Sequence, residues 1–143
     1  MKRFIPLALF ALAAACAGCS SKVTGSVTST GGPLGTFQFT PARCESGQRW
    51  QFFGVAFFSD GDKGSRVEVV QDPLRGWFVK VAKPGTDKMT VFGEADCKVL
   101  DAQVNRTHTT VNGIRVVEGS LKFECDQSKD GVVKGELQFS GCS

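Results

Sequence analysis

Beyond residue 22 the chain alternates short apolar runs with clusters of Gly, Pro, Asp and Ser, and no segment sustains a helical period. That spacing predicts strands over Lys22–Ser29, Leu34–Thr40, Arg49–Phe58, Arg66–Gln71, Trp77–Ala82, Met89–Gly93, Ala95–Arg106, Ile114–Asp126 and Val132–Ser140. The breaks fall where turn-forming residues gather: Thr30–Pro33, Ser59–Ser65, Asp72–Gly76, Lys83–Lys88 and Lys129–Gly131. Pro41–Gln48 reads as a loop carrying Cys44, and Thr107–Gly113 as a turn ending in Asn112-Gly113, a strong hairpin signal.

The alternation is clearest in Ile114–Asp126. Val117, Leu121, Phe123 and Cys125 share one parity, and Glu118, Ser120, Lys122 and Glu124 the other. Leu137 and Phe139 repeat the pattern against Glu136 and Gln138. Such strands cover a core with one face and meet water with the other. The expected fold is therefore all-β: a single antiparallel β-sandwich or small barrel of about eight or nine strands.

Trp50–Phe58 breaks this pattern by being apolar on both faces. Trp50, Phe52, Ala56 and Phe58 share one parity; Phe53, Val55 and Phe57 share the other. One reading is a central strand covered on both sides. The other is an apolar surface or cavity for a lipid, a hydrophobic ligand or a partner protein, with Trp50, Phe52, Phe53, Phe57 and Phe58 as contact residues.

The first residues have a different character. Lys2 and Arg3 precede an apolar run, Phe4–Ala15, and the small residues Ala17 and Gly18 lead into Cys19. These are the parts of an export signal. The run is shorter than the roughly 20 residues a membrane span needs, and it contains Pro6.

Cys16-Ala17-Gly18-Cys19 resembles the lipobox of bacterial lipoproteins. The resemblance implies removal of residues 1–18, lipidation of Cys19 by a diacylglyceryl group and an N-acyl chain such as palmitate, and attachment to a membrane through that lipid. Ser20 stands where an Asp would imply inner-membrane retention, which implies the outer membrane of the cell envelope. Residues 19–22 then form the lipidated cysteine and a short tether, and residues 23–143 the β domain. Cys16 departs from the family's usual Leu, and Ala13-Ala14-Ala15-Cys16 offers a second box. Simple secretory cleavage near Ala15 or Gly18 is a third reading. The segments Val117–Cys125 and Gly135–Cys142 also look like the Cys-ended hairpins of small uncharacterised bacterial lipoproteins, a likeness that implies no activity.

Cysteine parity favours Cys19 as the anchor. The chain has six cysteines. Loss of Cys16 and lipidation of Cys19 leave Cys44, Cys97, Cys125 and Cys142, an even set suited to disulfides in an oxidising compartment. A hairpin centred near Val111 sets Cys97 opposite Cys125, so the expected bridges are Cys97–Cys125 and Cys44–Cys142. The runner-up pairs Cys44 with Cys97 and Cys125 with Cys142.

Composition narrows the chemistry. Removing Lys2 and Arg3 with the signal lowers the formal net charge from +3 to about +1. No basic stripe stands out, so nucleic acid is not an expected partner. Phe is abundant, with 12 residues, and Tyr is absent.

His108 is the only histidine, set in a polar turn, with no Gly-x-Ser-x-Gly elbow in the chain. Asp60-Gly61-Asp62-Lys63-Gly64 resembles the start of a calcium loop, but Lys63 places a cation among the ligands and no bidentate Glu follows at the EF-hand position. Asn105-Arg106-Thr107 matches a glycosylation sequon. No paired cysteine or histidine motif for zinc is present. The expectation is a membrane-anchored envelope lipoprotein with no catalytic residues, metal or cofactor, having a structural or binding role toward an envelope protein or lipid. The alternatives are a carrier of an apolar ligand near Trp50–Phe58 and, behind it, a hydrolase.

Overall fold

The computed structural model describes residues 20–60, 66–128 and 130–143. These form ten strands: β1 (Lys22–Thr30), β2 (Phe37–Phe39), β3 (Arg43–Ser46), β4 (Phe53–Phe58), β5 (Arg66–Asp72), β6 (Gly76–Ala82), β7 (Met89–Gly93), β8 (Cys97–Val111), β9 (Ile114–Gln127) and β10 (Gly131–Cys142). Two five-stranded sheets result, ordered β2-β1-β10-β9-β8 and β3-β4-β5-β6-β7. All pairings are antiparallel. Each sheet keeps two edges, so the fold is a sandwich and not a closed barrel.

The core lies between the sheets. Val27, Leu121, Phe123 and Leu137 of the first meet Val55, Phe57, Val67, Val69, Val79 and Val81 of the second. Phe57 and Phe139 pack edge to face across the gap, with ring centroids 5.3 Å apart. Fully burying a side chain of this kind contributes about 1.5–3 kcal/mol. The alternation expected for β9 is present: Val117, Leu121, Phe123 and Cys125 are buried, while Glu118 and Lys122 are exposed. The outer face of the first sheet is wet and carries facing charges, with Glu136 opposite Lys122 and Lys134 opposite Glu124.

The two sheets are tied together near the end of β10 and the start of β9. Cys44 on β3 is bonded to Cys142 at the end of β10, while Gln48, four residues on, reaches Gly113 and Arg115 at the start of β9.

Both expected disulfides form, Cys44–Cys142 and Cys97–Cys125. The hairpin behind the second differs from the sequence expectation. Thr107–Val111 is strand, and only Asn112-Gly113 turns. Asn112 (φ 50°) and Gly113 (φ 79°) both take positive φ, the requirement of a tight hairpin turn whose twist matches its strands. The turn thus sits later than Val111. β8 compensates with two extra residues between Arg106 and Thr110 and one between Cys97 and Val99, and these bulges restore Cys97 to its place opposite Cys125.

Of the expected strand Leu34–Thr40 only Phe37–Phe39 is strand, Ala95 and Asp96 lie in a 3₁₀ turn, and further differences cluster around residues 41–52. Arg43–Ser46 is an edge strand where the sequence suggests a loop, because its four residues are too few to show a period. Arg49–Phe52 is not strand. Gly47–Trp50 forms a 3₁₀ turn, and Gln51 leaves it at φ 65°. Phe52 folds back against Gly47, where a Cβ would lie 2.5 Å from the Phe52 ring.

One buried polar network fixes the β1–β2 turn. Gln127 Nε2 donates to Ser29 Oγ at 2.9 Å, and Ser29 Oγ donates to the Gly35 carbonyl at 2.6 Å. The Leu34 amide donates to Gln127 Oε1 at 3.0 Å. Ser29 and Gln127 are both buried, and each bond removes a desolvation cost of about 1–3 kcal/mol.

Candidate functional site

Cys19 lies outside the described residues, but the folded body begins next to it. Ser21 Oγ accepts from the Cys44 amide at 3.4 Å, and Lys22 already pairs with Ser140. The Cys44–Cys142 bridge therefore sits beside the point where the N-terminal segment joins the sandwich. The calcium-like Asp60–Gly64 segment also lies largely outside the described residues.

The Trp50–Phe58 segment divides between two environments. Val55 and Phe57 are fully buried between the sheets, and Phe53 packs against that core. Phe57 is accordingly a packing residue with no surface to offer. Phe53 lies 6.0 Å from Trp77, and the Arg106 guanidinium closes over it at 4.8 Å.

Trp50 and Phe58 lie on the outer face of the second sheet. Trp50 is 47% exposed, its ring 6.3 Å from Phe58, and its Nε1 donates to Glu45 at 3.1 Å. Arg43 lies over Phe58 at 4.2 Å and Arg66 over Trp50 at 5.7 Å. Guanidinium groups seated on aromatic faces hold each other in place. Arg43 also pairs with Glu45, and Arg66 with the buried Glu68 at 3.0 Å, which Lys80 approaches from the next strand at 3.9 Å. The result is an aromatic surface rimmed with cations.

His108 belongs to a different feature. It sits in the β8 bulge and lines a recess of about 650 Å³ with Gln48, Arg106, Thr107, Thr110, Gly113 and Arg115. Thr107 organises the bulge: its Oγ1 donates to the Val116 carbonyl at 3.1 Å and accepts from the Thr109 amide at 3.2 Å. Arg115 Nη1 donates to the Thr107 carbonyl at 3.1 Å. Among the described residues, no carboxylate lines this recess. A second recess, about 610 Å³, opens on the outer face of the first sheet among Thr24, Ser26, Thr28, Lys122, Glu124 and Lys134. Neither is walled by residues of Trp50–Phe58.

Sequence reasoning did not assemble the basic recess: all its lining residues but Gln48 fall within 106–115, which reads as the end of a strand and a polar turn, and Gln48 joins them from a distant stretch. Among the described residues, the hydroxyls of Thr107 and Thr110 line it beside His108 and no carboxylate does. What it offers is positive charge and hydrogen-bond donors. No family model, curated protein or solved structure matches this chain.

Proposed function

We propose that the protein is a bacterial envelope lipoprotein, anchored through lipid on Cys19, whose β-sandwich has a structural or binding role at the membrane surface and performs no catalysis. The observation that carries this reading is the pairing of the cysteines. Cys44, Cys97, Cys125 and Cys142 are all consumed in two bridges, so Cys16 and Cys19 are the ones outside the disulfide framework. A disulfide-braced domain suits an exported protein. The lipobox-like sequence then gives Cys19 a purpose. Outer-membrane sorting follows from Ser20 on the same resemblance. Within this reading the contact surface offered to an envelope partner or a lipid is the outward pair Trp50 and Phe58, while Phe52 packs against Gly47.

The test is metabolic labelling with a fatty-acid probe, followed by membrane fractionation. Cys19→Ser abolishes labelling and releases the domain from membranes. Undiminished labelling moves the anchor to Cys16, and absence of labelling in the parent chain defeats the reading.

A further inference from the structure

The register of the first sheet fixes how far the β8–β9 turn projects. β1 and β9 are both antiparallel to β10, so they run in the same direction. Lys22 opens β1 opposite Ser140, and Cys142 lies opposite Val117. β9 starts three residues before Val117, at Ile114, and the Asn112-Gly113 turn precedes that. At about 3.3 Å per residue, this hairpin extends roughly 10 Å or more past the first residues of β1. It does so on the side from which the N-terminal segment arrives.

The tether covers the same distance. Three residue steps separate Lys22 from Cys19, at most about 10 Å of extended chain. A membrane holding lipid on Cys19 thus lies at a depth the hairpin also reaches. This end of the hairpin carries the basic recess. Arg106 and Arg115 are exposed, and among the described residues neither is in an ion pair. Gln48 pins the recess to the second sheet through the Gly113 carbonyl and the Arg115 amide.

We propose that this recess, built around Arg106, His108 and Arg115, binds the phosphate headgroups of the membrane that carries the anchor, holding the hairpin down on the bilayer. The inference rests on the lipid anchor proposed above. Charge complementarity supports it: a recess with two guanidinium groups that have no carboxylate partner among the described residues meets a surface rich in anionic phosphate. The anchor supplies attachment, and the recess supplies orientation.

The experiment uses the full-length mature lipoprotein reconstituted into vesicles, with Asn112→Cys carrying a fluorophore. The lipidated Cys19 and the two disulfides leave that thiol alone for labelling. Accessibility of the dye to acrylamide, a neutral quencher, is compared on phosphatidylcholine vesicles and on vesicles containing phosphatidylglycerol. At low salt the expected quenching constant falls at least twofold on the anionic vesicles. High salt, or Arg106→Gln with Arg115→Gln, returns it to the neutral-vesicle value. Arg106→Lys with Arg115→Lys retains the protection, which separates loss of charge from damage to the fold. A dye at Asp130→Cys, at the far end of β9, shows no such difference. Equal quenching on both vesicle types, in protein that floats with the vesicles, overturns the docking. Protein that fails to float and carries no lipid by mass overturns the anchor instead.

Discussion

Gln48 stands toward Arg115 as a strand neighbour would. Its Oε1 accepts from the Arg115 backbone amide at 2.9 Å, and its Nε2 donates to the Gly113 carbonyl at 3.4 Å. One side chain thereby completes backbone bonds that the edge of the hairpin would otherwise leave to water. Gln48→Ala is expected to cost about 0.5–1.5 kcal/mol. Amide exchange at Arg115 checks it: the rate should rise in the variant more than at core amides of β9.

The two disulfides close loops of very different length, with sequence separations of 98 and 28. Loop-closure entropy then predicts about 4.7 kcal/mol from Cys44–Cys142 against about 3.6 kcal/mol from Cys97–Cys125. Denaturant melts of the paired Ser variants should show the larger loss for Cys44→Ser with Cys142→Ser. The reverse order would mean that the bulged register of β8 depends on the shorter bridge.

Gln51 carries a side chain at φ 65°, a region in which L-residues are strained. Gln51→Gly should relieve that strain and raise stability by up to about 1 kcal/mol, less whatever the added flexibility of the unfolded chain removes. Thermal unfolding of the single variant measures the balance.

Asp72 caps its own turn. Its Oδ1 accepts from the amides of Leu74 at 2.9 Å and Arg75 at 3.1 Å, and its Oδ2 from the Arg75 guanidinium at 3.2 Å. The Leu74 amide is the main cause that holds its carboxyl below the ordinary value of 3.8, and Arg75 adds to it. A depressed carboxylate pKa stabilises the fold above the unfolded value, and this contribution fades as pH falls through the folded one. An NMR titration of the Asp72 carboxyl should give a midpoint below 3.8, and Arg75→Ala should raise it only in part, since the Leu74 amide remains.

The C-terminal half of the fold was readable because its strands are long enough for alternation to repeat. Val117, Leu121, Phe123 and Cys125 mark a face that no loop would produce. Arg43–Ser46 carries no such mark, since four residues between Pro41 and Gly47 show no period. The Cys97–Cys125 pair was legible through hairpin symmetry, although the polar run Thr107–Val111 hid the true turn and the β8 bulges made up the difference. Trp50 and Phe57 stand on opposite parities in the sequence, and they lie on opposite sides of the second sheet. What the sequence did not show is that a 3₁₀ turn at Gly47–Trp50, rather than the strand, carries Trp50 to the surface.

The pairing of β1 with β10 bears on how the chain acquires its structure. The first strand pairs with β2 over three residues, but its longer partner is β10, and the Cys44–Cys142 bond likewise waits for that strand. A polypeptide emerging from its N-terminus can form the β4–β7 meander and the β8–β9 hairpin early, but β1 stays unpaired on its β10 side until the end. Completion is thus a late, long-range event, and a chain truncated before β10 would display an open strand edge ready to join a neighbour's.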